Sequence, residues 1–270
     1  MRVGILGCGF IGTTIAGSLQ DMEGVDLIPL FDKEYDMASR LAGKIKIASV
    51  FTPEDLNGFI EASDLVVEAA SQEAVRDILP GILDRGKDVM ILSVGALVND
   101  SLWDSFKEKA GRNNSNIMVP SGAIAGMDGL TSASIADIEC VTLTVRKPPS
   151  GLSLPHELSH LSESVKEANG PITIFEGTAR EAVTLFPKNV NVAATISLAG
   201  IGFDRTKVKV IADPTVTRNQ HQVEVRGRFG EMKIWMYNHP STTNPRTSYM
   251  APLSAIASLR KLLTGIHIGN

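Results

Sequence analysis

The N-terminal run RVGILGCGFIGTTIAGSL confines the chain more tightly than any other stretch of it. A compact apolar segment, Val3 to Leu6, passes through Gly7, Gly9 and Gly12 into residues of helical character. In a strand–turn–helix setting each glycine of this G-x-G-x-x-G spacing has a steric reason. Gly7 permits the tight turn, Gly9 lets the backbone approach a pyrophosphate, and Gly12 lets the new helix lie close on the strand. Phe10 and Ile11 open that helix, whose N-terminus favours an anion. A second strand, VDLIPLFD, ends in Asp32, twenty residues after Gly12, where a carboxylate accepts hydrogen bonds from the ribose hydroxyls of a dinucleotide. Lys33 follows and would tolerate a 2′-phosphate, so the expected cofactor is NAD or NADP.

The same rhythm continues. IKIASVF precedes the helix start TPEDL, DLVVEAAS precedes QEAVRDILPGILDRG, DVMILSVGAL precedes NDSLWDSFKEKAG, and NIMVPSGAIAG closes the series. Strands alternating with helices imply an α/β fold with a doubly wound parallel sheet of the Rossmann type. Ligands of such sheets sit beyond the carboxyl ends of the strands. Ala69 and Ala70 after one strand, Ser93 after another and Ser121 to Ala125 after a third would face that crevice. Small residues there either admit a flat nicotinamide ring or simply pack tightly.

After PSGAIAGMDGL the pattern changes. VTLTVRKPPSG alternates, with Val141, Leu143 and Val145 opposite Thr142, Thr144 and Arg146, as in a sheet with one wetter face. VKVIAD, QVEVRG and EMKIWMYN supply further strands of a mixed or antiparallel sheet, and HELSHLSESVKEA, AREAVTLF and NVNVAATISLAGI read as helices around it. LSAIASLRKLLTG has helical periodicity near the C-terminus. The expected division is a Rossmann domain over 1–125, an α+β domain for substrate and oligomer contacts over 126–245, and a helix in 246–270 that returns to the first domain.

A net charge of −4 with both signs interspersed provides no footprint for nucleic acid or an anionic membrane. No run approaches the ~20 apolar residues of a membrane span. Cys8 and Cys140 have neither a disulfide framework nor metal-ligand spacing. The expectation is a cytoplasmic protein acting on a small molecule, without a metal. His156 and His160 would share a helix face at i and i+4, but the pair lacks the Glu of H-E-x-x-H and further ligands.

Polar residues gather at three places in the second half. FPKNVNVAATISLAG sets Lys188, Asn189 and Asn191 before or within the first turn of an apolar helix, and capping accounts for one asparagine better than for the whole cluster. NHPSTTNPRTSYMAPLS carries Asn238, Asn244, Arg246, Thr247 and Ser248 in a proline-punctuated loop, either a connector or a supply of donors for an anionic substrate. In TRNQHQVEVRGRFG, alternation puts His221 on the same face as Val223 and Val225.

With these residues in view, the chain resembles the L-aspartate dehydrogenase family, NAD(P)-dependent enzymes associated with making iminoaspartate for NAD biosynthesis. The resemblance runs nearly end to end, through GCGFIG, SGAIAG, FPKNVNVAATISLAG, DPTVTRNQHQVEVRG, FG and NPRTS. It implies a Rossmann domain joined to an α+β domain with the substrate between them, and a homodimer or higher oligomer. It implies that Ala123 and Asn191 contact the nicotinamide cofactor and that His221 is the active-site histidine. A substrate with two carboxylates needs cationic or backbone donors, for which Lys188, Asn219, Arg246, Thr247 and Ser248 are the candidates. A related dehydrogenase or reductase of homoserine, a semialdehyde or a cyclic imine is the alternative enzyme. A dinucleotide-sensing protein without catalysis is the alternative from another class.

Overall fold

A computed structural model describes residues 1–186, 191–241 and 247–269 of the chain. It divides into two compact units, Met1–Pro120 with Pro252–His267, and Ser121–Ala251 with Ile268–Asn270.

The first unit is built on six parallel strands, β1 (Val3–Leu6), β2 (Ile28–Phe31), β3 (Ala48–Val50), β4 (Leu65–Glu68), β5 (Asp88–Ile91) and β6 (Ile117–Met118), in the order β3-β2-β1-β4-β5-β6. Every residue of β1, β2 and β4 is buried. Helices cover both faces of a parallel sheet, which is why these strands are continuous apolar runs rather than alternating ones. The helix Phe10–Leu19 lays Ile15, Ala16 and Leu19 on the sheet. Its approach depends on Gly12, where a Cβ would run into the Gly7 carbonyl oxygen, which is backbone and has nowhere to go.

The C-terminal helix Met250–Thr264 contributes Ala255, Ile256 and Leu259 to the same core as Val3, Ile5, Ile15 and Leu30. Full burial of a side chain such as Leu259 is worth ~1.5–3 kcal/mol. Sequence-distant residues therefore close the first unit.

The second unit holds a five-stranded sheet of β7 (Ile138–Lys147), β8 (Ile172–Thr178), β9 (Thr206–Ala212), β10 (Asn219–Gly227) and β11 (Gly230–Asn238), in the order β11-β10-β7-β9-β8. β7 and β9 run parallel and the other pairs antiparallel, so the sheet is mixed. Along β7 and β10 burial alternates, with Val141, Leu143 and Val145 beside Val223 and Val225 on the covered face. The helices Ala179–Leu185 and Asn191–Ala199 pack against β9, the first of them opened by a Thr178–Glu181 capping box.

Three segments depart from the sequence reading. QEAVRDILPGILDRG forms two short helices, Gln72–Asp77 and Leu79–Asp84, instead of one. Pro80 has no N–H for the preceding turn and its ring crowds the carbonyl four residues back. HELSHLSESVKEA begins as a 3-10 turn, His156–Leu161, before the short helix Ser162–Glu167, and only Val165 is buried in it. Leu158 and Leu161 stay only half-buried, so little apolar burial holds a longer α-helix there, and His156 and His160 do not share an α-helical face. Third, β8 is an edge strand with a register shift between Thr173 and Phe175 and only Ile174 buried, which leaves a weak alternation.

Candidate functional site

The turn after β1 opens onto a cleft of about 500 Å³ lined by Gly7, Gly9, Asp32, Ala69, Ala70 and Ser71, among others. It lies at the carboxyl ends of β1, β2 and β4, where the strand order reverses. Gly7 has φ +99, and a Cβ on it would lie 2.8 Å from the backbone of Ala69 and Ala70. Gly9 is different: a Cβ there would meet nothing within 4 Å. The protein's own packing does not require glycine at 9, whereas a pyrophosphate laid against bare backbone at the helix N-terminus does. Asp32 is held in place, its Oδ2 accepting from Cys8 N at 2.7 Å and its Oδ1 from Glu34 N at 2.9 Å. Lys33 stands exposed on the cleft rim. Phe10, Ile11 and Gly12 form the first turn of the helix and do not line the cleft.

Ser93 also lies outside the cleft lining, and its contact reveals a residue that sequence reasoning missed. Glu68, fully buried at the end of β4, accepts from Ala70 N (2.8 Å), Leu92 N (3.2 Å), Ser93 N (2.8 Å) and the Ser93 hydroxyl (2.8 Å). Burial raises its pKa against the downward pull of those bonds. One carboxylate thus ties the Ala69–Ala70 turn to the loop after β5. The signal was an acid closing the apolar run LVVE.

In the second unit, polar groups collect at one end of the covered face of the sheet. His221, 4% exposed, lies opposite Val145 of β7 and Met236 of β11. The Asn238 amide joins it to Ala123: Nδ2 donates to the Ala123 carbonyl at 2.8 Å and lies 3.3 Å from His221 Nδ1. An amide NH₂ only donates, so Nδ1 is the acceptor and the neutral ring carries its proton on Nε2. Burial first, and the positive charge of Lys147 second, lower the His221 pKa to about 3. Lys147 is itself buried at the end of β7, and burial lowers its pKa to about 8. Asn219 is buried on the same face two residues before His221.

The remaining candidates are more scattered. Asn191 opens the helix Asn191–Ala199, and its carbonyl accepts from Thr195 Oγ1. The Thr247 carbonyl accepts from Ser241 N, and Ser248 bridges to Pro240. Neither Thr247 nor Ser248 is hydrogen-bonded to His221 among the described residues. Lys188 and Arg246 lie outside the described residues. Among those described, no group of three His, Cys, Asp or Glu could hold a metal ion, and no helix is long and apolar enough to cross a membrane.

A glycine-cradled cleft at the switch point of a parallel sheet, with an acid at the end of β2, defines a dinucleotide-binding oxidoreductase fold. Residues 7–120 match the family model for the NAD-binding domain of homoserine dehydrogenase, and residues 128–262 match that for the C-terminal domain of aspartate dehydrogenase. The chain is an NAD(P)-dependent dehydrogenase.

Its relatives are specific. L-aspartate dehydrogenase of Methanosarcina barkeri is 46% identical over 272 residues, covering 100% of this chain and 99% of that one. The enzyme of the same name from Nitrosopumilus maritimus is 39% identical, with 96% of each chain covered. The crystal structure of aspartate dehydrogenase from Thermotoga maritima superposes with a TM-score of 0.76 at 28% identity, covering 100% of this chain and 99% of that one. A myo-inositol dehydrogenase of Lactobacillus casei, at 15% identity and a TM-score of 0.58, shares the fold. The chain belongs to the L-aspartate dehydrogenase family.

The lowered pKa of His221 makes a stability prediction. Between about pH 6.5 and about pH 3 the unfolded chain binds a proton that the fold excludes. Relative to His221→Gln, the unfolding free energy of the wild type should be constant above about pH 6.5. Below that it should fall by up to ~1.4 kcal/mol per pH unit. Urea denaturation across this range measures the difference, and parallel curves would show that His221 titrates alike in both states.

Proposed function

We propose that this chain oxidises L-aspartate to iminoaspartate with NAD(P)+, and that the product serves NAD biosynthesis. The observation that carries the reading is the buried His221 at the polar end of an apolar sheet face, in a chain that matches L-aspartate dehydrogenases over its whole length. Gly7 and Gly9 would receive the pyrophosphate, Asp32 the ribose, and the small side chains of Ala69 and Ala70 the approach of a flat ring. The family resemblance extends the cofactor contacts to Ala123 and Asn191. Bound there, NAD(P)+ supplies the acceptor for the hydride lost from the substrate Cα.

The chain's own groups handle charge and protons. Oxidation requires a neutral amine, so a proton must leave the substrate nitrogen. His221, neutral and protonated on Nε2 in the free protein, presents a hydrogen-bond donor on the side away from Asn238. Two substrate carboxylates offset the positive field of Lys147 and raise the basicity of the ring, and the proton that leaves the amine is taken up at Nδ1, the ring nitrogen that carries none, in place of its contact with Asn238 Nδ2. A plain core histidine would need none of this.

Purified protein should reduce NAD(P)+ in the presence of L-aspartate. His221→Ala should lower kcat by ~10²–10⁴-fold with the cofactor Kd unchanged; near-normal turnover by the variant would remove His221 from the mechanism.

For the cofactor, the Asp32 carboxylate favours NAD over NADP, since it would repel a 2′-phosphate, although the neighbouring Lys33 softens that repulsion. Asp32→Ala is expected to lower kcat/KM for NAD+ by ~10-fold or more and to affect NADP+ less. An equal loss with both cofactors would contradict ribose recognition by Asp32.

We also place the enzyme in the cytoplasm as a homodimer. Trp235 and Tyr237 are 56% and 54% exposed on the sheet face opposite His221, and aromatic exposure of this kind marks interaction surfaces. Sedimentation should give a dimer that Trp235→Asp dissociates; a monomeric wild type would overturn this.

A further inference from the structure

A buried lysine stands near His221 with no acid to meet it. Lys147 is 3% exposed and continues the covered face of Val141, Leu143 and Val145. Because Gln220 pairs with Arg146, the next residues along the two antiparallel strands, Asn219 and Lys147, come side by side. Asn219 in turn pairs with Asn238 on β11. Lys147, Asn219, His221 and Asn238 therefore share one end of one sheet face.

Donors outnumber acceptors in this group. Among the described residues Lys147 Nζ has neither a hydrogen-bond nor an ion-pair partner. Asn219, 2% exposed, buries an Nδ2 that makes no hydrogen bond. The acid next to β9, Asp213, is committed elsewhere, accepting from Arg146, Thr215 N and the Thr215 hydroxyl. His221, with its proton on Nε2, adds another donor. An unpaired buried cation and an unmade amide hydrogen bond both cost stability. Their common remedy is an anion with more than one acceptor oxygen.

We propose that Lys147 Nζ and Asn219 Nδ2 form a carboxylate-binding subsite for the substrate, an assignment that rests on the dicarboxylic amino-acid reading above. Lys147 supplies the charge, Asn219 the directional donor, and the bound carboxylate the counter-ion that His221 needs beside it. The subsite is a cost to the free protein that the substrate removes.

The probe is succinate, a dicarboxylate with no amine to oxidise, titrated calorimetrically into NAD+-loaded enzyme. K147M keeps the length of the side chain and removes its charge. Succinate should bind ~30-fold or more weakly to K147M, and also more weakly to N219A, while NAD+ affinity stays within about twofold for both. K147R, which keeps the charge, should recover part of the loss. Without succinate K147M should melt at or above the wild-type temperature, because an unpaired buried charge has gone; a lysine with a purely structural role predicts a lower one. Succinate affinity unchanged in K147M, or no succinate binding by the wild type, overturns the subsite. If K147M does not fold, N219A carries the same comparison. Aspartate turnover with succinate binding indifferent to Lys147 would sink the subsite alone. Lys147-dependent succinate binding without aspartate turnover would sink the dehydrogenase reading and leave the subsite standing.

Discussion

Desolvation at the ends of strands is the constraint on which both halves of this protein depend. The strands at the centre of the first sheet are buried on both faces and the second sheet covers one, so any polar group at a buried strand end must find a partner or remain a cost. In the first unit Glu68 finds four donors and turns a buried acid into a clamp across two loops. In the second unit Lys147 Nζ and Asn219 Nδ2 find none among the described residues. A satisfied carboxylate gives a cofactor cleft with fixed walls. In the proposed subsite, unsatisfied donors would give a place for an anion to complete.

The same contrast explains the state of His221. Asn238 holds the ring by one nitrogen while burial and a nearby cation keep it uncharged. Such a group is a weak base in the free protein, and in the mechanism proposed above a dianionic substrate would restore its basicity.

The parallel strands were legible because burial on both faces leaves long apolar runs between turn residues, and the glycines and Asp32 because their spacing has a steric cause. β8 was hidden by being an edge strand with one buried residue, and the helix expected over 156–168 was shortened because Leu158 and Leu161 of its apolar face are only half-buried. Ala123, Asn191 and His221 drew their assigned roles only from the family resemblance. Glu68 was overlooked as the last letter of a buried strand. Lys147 was visible in principle: the alternation of Val141, Leu143 and Val145 puts residue 147 on the covered face. What local pattern could not supply was its neighbour, since the pairing of residue 147 with residue 219 is a matter of sheet register.

The central claim is that this chain removes a hydride from the Cα of aspartate and passes it to the nicotinamide its first unit is shaped to hold. L-aspartate deuterated at Cα tests it directly, with the reduced cofactor analysed by proton NMR. The account predicts one deuterium at nicotinamide C4 for each turnover. Reduced cofactor without deuterium, or no reduction at all, would contradict it.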